Sequence, residues 1–388
     1  MNSFASRRIL LAVTGLTPQV VTETVYALAC KAETPWVPTE IHLITTGTGA
    51  DHARLNLLGP DGQFHQLRAD YGLPAITFPP ENIHVLAKID GTPLDDIRTQ
   101  ADNTHAADFI VDMVRTLTAD DSAELHVSIT GGRKTMGYYL GYALSLYGRP
   151  QDRLSHVLVS EPYETNRNFY YPTPYEKGIR VGRDDNQMTI DARKAEVTLA
   201  SIPFVRLRQE LPPRLLCDEA KLSQVVASAN RALQPPLLVL DVDNLKAWAD
   251  DEPIPLSPPA FMALLWFALR AQRGESRTDY SSQAMRDEFA HLATAISEYR
   301  RKYFNSKKEA RDLEDFLTRE RRGDYFEPLR SNIKKAFEEN LGKPATMRYG
   351  VSDSVRGKKS LVTLKLNPEQ IEIRAARTLP VLLKSTSG

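Results

Sequence analysis

Two hydrophobic patterns alternate along the first 160 residues of the chain. Short apolar, β-rich runs stand at Arg8 to Thr14 (RILLAVT), Glu40 to Thr46 (EIHLITT), Ile83 to Ala87 (IHVLA), Glu124 to Thr130 (ELHVSIT) and Leu154 to Ser160 (LSHVLVS). At Pro18 to Lys31, Ala101 to Leu117 and Lys134 to Tyr147, apolar residues instead return at three- and four-residue spacing, the period of a helix with one buried face. Strand followed by helix, repeated, predicts an α/β fold with a doubly wound parallel sheet and crossover helices.

Beyond Ser160 the pattern breaks. Glu161 to Glu176 is rich in Tyr, Pro and Asn and predicts a hairpin over the sheet edge or a loop. Its aromatics Tyr163, Phe169, Tyr170 and Tyr171 are expected to pack that edge or to stack on bases. Arg180 to Pro212 reads as strands and a linker, and Pro212-Pro213 and Pro235-Pro236 bracket a helix from Asp218 to Leu233. This places a domain boundary near residue 200, giving domains 1–200 and 201–388. The second opens with an apolar run, Leu237 to Asp241, a turn at Asp250 to Pro253, and an apolar helix from Ala260 to Ala271 behind Ser257 as N-cap and two prolines, which a first turn tolerates. Tyr325 to Asn340 reads as an amphipathic helix. Thr346 to Ser352 and Ser360 to Leu366 read as strands joined by Asp353 to Lys359. A charged helical insertion is expected over about 275–323.

Composition changes this picture little. The chain has 49 basic and 49 acidic residues and 42% hydrophobic content, so no global field advertises a polyanionic partner and any nucleic-acid affinity must be local. Cys30 and Cys217 form neither a disulfide framework nor a metal cluster, so no structural metal and no cofactor are expected. With no run of about 18 apolar residues and no signal-peptide pattern at the start, a soluble, cytoplasmic protein without membrane contact is expected.

Chemistry concentrates at the ends of two predicted strands. The first carries Thr14-Gly15-Leu16-Thr17-Pro18-Gln19. Ligands of open α/β sheets bind outside the carboxyl ends of strands where the order reverses, so Thr14, Gly15, Leu16, Thr17 and Gln19 are candidate binding residues, or else a plain turn capped by Thr17. The spacing is not that of a dinucleotide fingerprint. The fourth run carries Thr130-Gly131-Gly132-Arg133-Lys134-Thr135, a glycine turn feeding a helix N-terminus. Glycines let the backbone approach an anion, and free amides with Arg133 and Lys134 favour a phosphate. Without an anion, each cation there opposes the helix dipole at about 0.3–1 kcal/mol. The four-residue spacer of a Walker loop is missing.

Together these loops resemble those of the CRISPR-associated Rossmann-fold (CARF) proteins of type III systems. The likeness is carried by AVTGLTPQVVTETVYAL, SITGGRKTMGYYLGYALSLYG and HVLVSEPYE, and covers about residues 7–175. It implies a Rossmann-like sheet and a homodimer that binds a cyclic oligoadenylate of four or six adenosines across its two-fold axis. The expected activity is metal-independent ring cleavage, with Lys134, Arg133 and Thr14 as catalytic residues; no histidine lies in these loops, so no general base is foreseen. A second likeness points to another output. LVLDVDNLKAWADDEPIPLSPPAFMALLWFAL and LRSNIKKAFEENLG resemble parts of response-regulator-type winged-helix domains, which implies a mainly helical, winged-helix-like C-terminal domain. Arg300 to Lys359 holds 17 basic and 10 acidic residues, so DNA is a possible partner and a ring-responsive transcription regulator the alternative function. A third alternative, a HEPN-type ribonuclease, rests on Arg286 and His291 in an R-x4-H pattern.

Overall fold

The computed structural model describes residues 7–88, 90–181, 188–211, 215–216, 221–231, 235–275, 277–279, 283–304, 326–349 and 361–377. The chain divides into two compact units, one running to Gln209 and the other made mainly of the residues beyond it.

The first unit is built on a six-stranded sheet. β1 (Arg8–Val13), β2 (Glu40–Thr45), β3 (Ile83–Val85), β4 (Glu124–Ser128) and β5 (Arg153–Val159) are parallel and run in the order β3-β2-β1-β4-β5. The β6 (Gly178–Val181) and β7 (Met188–Asp191) hairpin follows, and β8 (Val197–Ser201) then closes the edge antiparallel to β5. Connecting helices are α1 (Gln19–Tyr26, continued by a wider turn to Lys31), α2 (Gly47–Ala53, continued likewise to Leu58), α3 (Gln63–Asp70), α4 (Gln100–Leu117) and α5 (Lys134–Tyr147). The five predicted runs and three predicted helices thus form where the periodicity puts them, while α2 and α3 go unforeseen.

Both sheet faces are covered, as a parallel sheet requires. Leu10 and Ala12 of β1 and Ile41 and Leu43 of β2 join Val21, Val25, Phe64 and Leu67 in one core, while Ile9, Leu11 and Val13 are equally inaccessible on the opposite face. The stretch 161–177 contains no strand. Tyr163, Phe169 and Tyr171 are at most 7% exposed and fill the core, so base stacking is corrected for these three: their rings replace solvent as packing material.

In the second unit α6 (Leu222–Arg231) comes first, then β9 (Leu238–Asp241), β10 (Lys246–Ala249) and β11 (Glu252–Ile254) as an antiparallel meander, with β14 (Ile371–Arg374) parallel to β9. α7 (Pro258–Gln272) is buried on every side from Ala260 to Ala271, as a sequence apolar throughout except at Arg270 demands. Ser257 stands at its N-cap without a side-chain cap bond.

In the stretch read as a charged helical insertion, α8 (Gln283–Phe304) is helical, and it packs Phe289, Leu292, Ala293 and Ile296 into the core around α7 and pairs Glu288 with Arg270. Charge on its outer face disguised a buried stripe. Residues 305–323 of the expected insertion lie outside the described residues. The expected hairpin of 346–352 with 360–366 is corrected. Gly342 (φ +86°) ends α9 (Phe326–Leu341), and Pro344 helps start a new helix, α10 (Lys343–Tyr349), the usual division of labour between these two residues. Tyr349 is then fully buried against Phe337. β13 (Leu361–Thr363) pairs instead with β12 (Arg277–Asp279). The connecting residues Asp353 to Lys359 lie outside the described residues.

Candidate functional site

Strand order reverses between β1 and β4, which are hydrogen-bonded neighbours with Ala12 opposite Ser128. Their following loops therefore emerge side by side, the crevice where open α/β sheets bind ligands. A Cβ on Gly15 would stand 3.6 Å from the Gly132 Cα, so the two loops touch. Gly131 and Gly132 have φ of +98° and +70°, and a Cβ on Gly131 would stand 2.9 Å from the Val13 carbonyl oxygen. Only glycine fits both backbones there.

A third loop joins them unannounced. Thr46 caps α2 by accepting from the Gly49 N–H, and a Cβ on Gly49 would meet the Gly15 carbonyl at 2.6 Å. The signal was present in Thr45-Thr46-Gly47-Thr48-Gly49, a threonine cap followed by glycines; its apolar content is too low for a pattern of buried positions to reveal it.

The site residues read from sequence divide by role. Thr14 is fully buried and donates its hydroxyl to the Thr17 carbonyl at 2.7 Å, a bond that shapes the loop. Leu16 and Thr17 are exposed and Gly15 half-buried. Gln19, 8% exposed, donates to the Arg167 carbonyl and leaves its own carbonyl oxygen buried without a partner. Gly132, Arg133, Lys134 and Thr135 are exposed, and α5 begins with no side chain capping its first amides. Arg133 is not a free cation: its guanidinium grips Asp96 with Nε to Oδ1 at 2.9 Å. That contact, with Arg98 beside it, holds the Asp96 carboxyl down at about 2. Lys134 makes no ion pair among the described residues and is the cation left at the turn.

One residue missed by the sequence reading completes the arrangement. His156 of β5, half-buried, places Nδ1 3.0 Å from Thr130 Oγ1, which also accepts the Val157 N–H at 2.8 Å. A histidine absent from the loop sequences thus reaches the glycine turn from a neighbouring strand. Among the described residues no group of His, Cys, Asp and Glu is arranged to hold a metal ion, and no helix is long and apolar enough to cross a membrane.

A family model described as CRISPR-associated protein NE0113 matches residues 17–235. The chain belongs to this CRISPR-associated family. Comparison with curated proteins gives no match. The NE0113 match begins at Thr17, inside the first loop, and spans the whole Thr130–Thr135 turn, His156 and the cap at Thr46.

Behind the first loop α1 carries a carboxyl out of its usual state. Glu23 is 6% exposed, and burial, with Glu164 nearby, raises its pKa to about 8. The fold therefore keeps a proton that the unfolded chain releases above about 4.5, so stability falls as pH rises from about 4.5 to about 8 and levels off beyond. Glu23→Gln, which mimics the neutral acid, is expected to match the wild type near pH 4.5 and to be more stable at pH 8 by roughly 4 kcal/mol. Thermal melts at both pH values check this; a difference that does not grow with pH contradicts it.

Proposed function

We propose that this NE0113-family protein has a Rossmann-like CARF domain, that it forms a homodimer binding a cyclic oligoadenylate of four or six adenosines at the β1/β4 crevice, and that it cleaves the ring. The observation that carries the reading is the junction of two glycine loops over the uncapped start of α5, with Lys134 unpaired among the described residues and His156 bonded to Thr130. Backbone amides and one free cation suit a phosphate, and the imidazole supplies proton transfer.

The chemistry needs no added reactant. The ribose 2′-oxygen attacks the adjacent phosphorus, the bond from phosphorus to the 5′-oxygen breaks, and the products are a 2′,3′-cyclic phosphate and a 5′-hydroxyl. With Nδ1–H donating to Thr130 Oγ1, His156 Nε2 is the base that takes the 2′-proton, and water protonates the 5′-oxygen that leaves on the opposite side of the phosphorus. Lys134 and the α5 amides stabilise charge on the phosphorane, and Thr14 keeps the first loop in shape for in-line attack. Incubating the protein with labelled cyclic tetra- and hexa-adenylate in excess EDTA is expected to yield linear products ending in cyclic phosphate. A ring held for hours and released intact overturns cleavage and leaves a sensor.

The regulator reading has less support. On α9 Lys334 and Lys335 pair with Glu338 and Glu339 one turn on, which neutralises the helix offered to DNA, and the expected wing takes another pairing. The HEPN reading has less still. Phe289 and Glu288, inside the motif, are used in packing α8 against α7, and His291 is exposed on a unit built around a β-sheet.

A further inference from the structure

The glycine loops make no use of the basic stretch that begins at Arg300, and its first residues form the last turn of α8 in the second unit. Arg301, Lys302, Tyr303 and Phe304 are all exposed there, Tyr303 at 39% and Phe304 at 40%. Both rings rest on Tyr299, with centroids 5.3 and 5.9 Å from its own. Tyr299 is buried and donates its hydroxyl to Asp243 at 2.7 Å, and the other Asp243 oxygen accepts the Ala376 N–H. The exposed rings therefore stand on a fixed base, and the same carboxylate fixes the segment after β14 beside them.

That segment brings the Arg377 guanidinium to 4.5 Å from the Tyr303 ring centroid, while the Lys302 ammonium stands 5.2 Å from the same ring. Together they hold the Tyr303 hydroxyl below its usual pKa, Lys302 foremost through its hydrogen bond. Neither cation makes an ion pair among the described residues. Asp243 is taken by Tyr299 and Ala376, Glu372 pairs with Arg374 at 2.8 Å, and the exposed Glu298 pairs with neither Arg301 nor Lys302. Cations in the last turn of a helix suit its dipole, which accounts for Arg301 and Lys302. It does not account for Arg377, which reaches the same phenol from beyond β14. Like charges gathered on one hydroxyl repel until an anion joins them, and such donors suit a phosphate oxygen. The Phe304 ring asks for a flat partner. A duplex would meet the cations but keeps its base faces stacked inside, and an acidic peptide would leave the ring unused. A single strand offers phosphates and free base faces together, the combination that sequence-tolerant binding uses.

We propose that the end of α8 is a binding surface for single-stranded nucleic acid, with a phosphate on Lys302, Arg377 and the Tyr303 hydroxyl and a base stacked on Phe304. Phosphate contacts and stacking read neither base edges nor the ribose 2′-hydroxyl, so RNA and DNA strands are bound alike. The surface stands whether or not the protein binds or cleaves a ring.

The test is fluorescence anisotropy of the full chain with labelled oligo-uridylate, oligo-thymidylate and a duplex of equal length, at two salt concentrations. Both single strands are expected to bind with similar affinity, at least tenfold tighter than the duplex, and to weaken as salt rises. Lys302→Ala and Arg377→Ala are each expected to weaken binding and to lower the salt slope by about one. Phe304→Leu keeps an apolar side chain against Tyr299 but has no π face; it is expected to weaken binding roughly fivefold or more with the salt slope unchanged. All three positions are exposed, so thermal melts are expected to stay the same. No saturable binding of either strand overturns the proposal. So does a duplex bound as tightly as the single strands, an affinity untouched by Phe304→Leu, or displacement of the strand by an equal charge of polyglutamate. Binding that survives both cation variants but is lost in Lys134→Ala also overturns it, because the strand would then lie at the glycine turn.

Discussion

His156→Ala is expected to lower the single-turnover rate of ring cleavage by about 10²- to 10⁴-fold, the range a positioned acid–base side chain supplies, while ring affinity changes little. The argument rests on where the imidazole stands. Its Nδ1 is held at Thr130 Oγ1, on the first residue of the glycine turn, so the ring is oriented by the same loop that would hold the phosphate. The histidine binds no phosphate in the ground state, and its removal is felt chiefly when the 2′-proton must leave. Added imidazole is expected to restore part of the rate in His156→Ala and none in Lys134→Ala, a response that a merely structural histidine would not give. Cleavage by the wild type that proceeds equally fast in His156→Ala removes the residue from the mechanism and leaves the ring-nuclease reading standing; a wild type that cleaves neither ring removes both.

Lys134→Ala is expected to weaken ring binding and slow cleavage, each by at least tenfold, whereas Arg133→Ala costs binding much less. Both cations stand at the start of α5, but their free charge differs. Arg133 is already satisfied by Asp96, so a phosphate would have to compete with that carboxylate. Lys134 has no such partner among the described residues, and its charge meets phosphate in ground and transition state alike. Asp96→Asn sharpens the comparison: releasing Arg133 is expected to tighten ring binding and make it more salt-dependent. Calorimetry at two salt concentrations on the three variants checks the order. Equal losses from Arg133→Ala and Lys134→Ala would show that the Asp96 contact does not persist when the ring is bound.

Legibility followed the physics of each element. β1 and β4 are buried on both faces, so their sequences are near-continuous apolar runs that stand out without a partner, while β2 and β5 keep enough apolar positions to read the same way. α4 and α5 carry regular apolar faces and were readable within a residue. α2 was not: it is short, begins in Thr46-Gly47-Thr48-Gly49, and is held by a cap and by contact with Gly15 rather than by a broad apolar stripe. The second unit was misread where local signals conflict with packing. Thr346 to Tyr349 has strand-like composition, yet Gly342 and Pro344 set a helix start just before it and Tyr349 is drawn into the core.

The sequence by itself determined the α/β class of the first unit and marked the two glycine loops as a candidate site, because strand period, helix period and glycine-rich turns are local properties of the chain. Which charges remain free was decided only in three dimensions. Asp96 comes from the loop after β3 to claim Arg133. His156 comes from β5 to meet Thr130, and Thr14 turns inward to bond Thr17. The first two depend on strand order and register, which bring residues tens of positions apart within 3 Å, and no spacing along the chain encodes that.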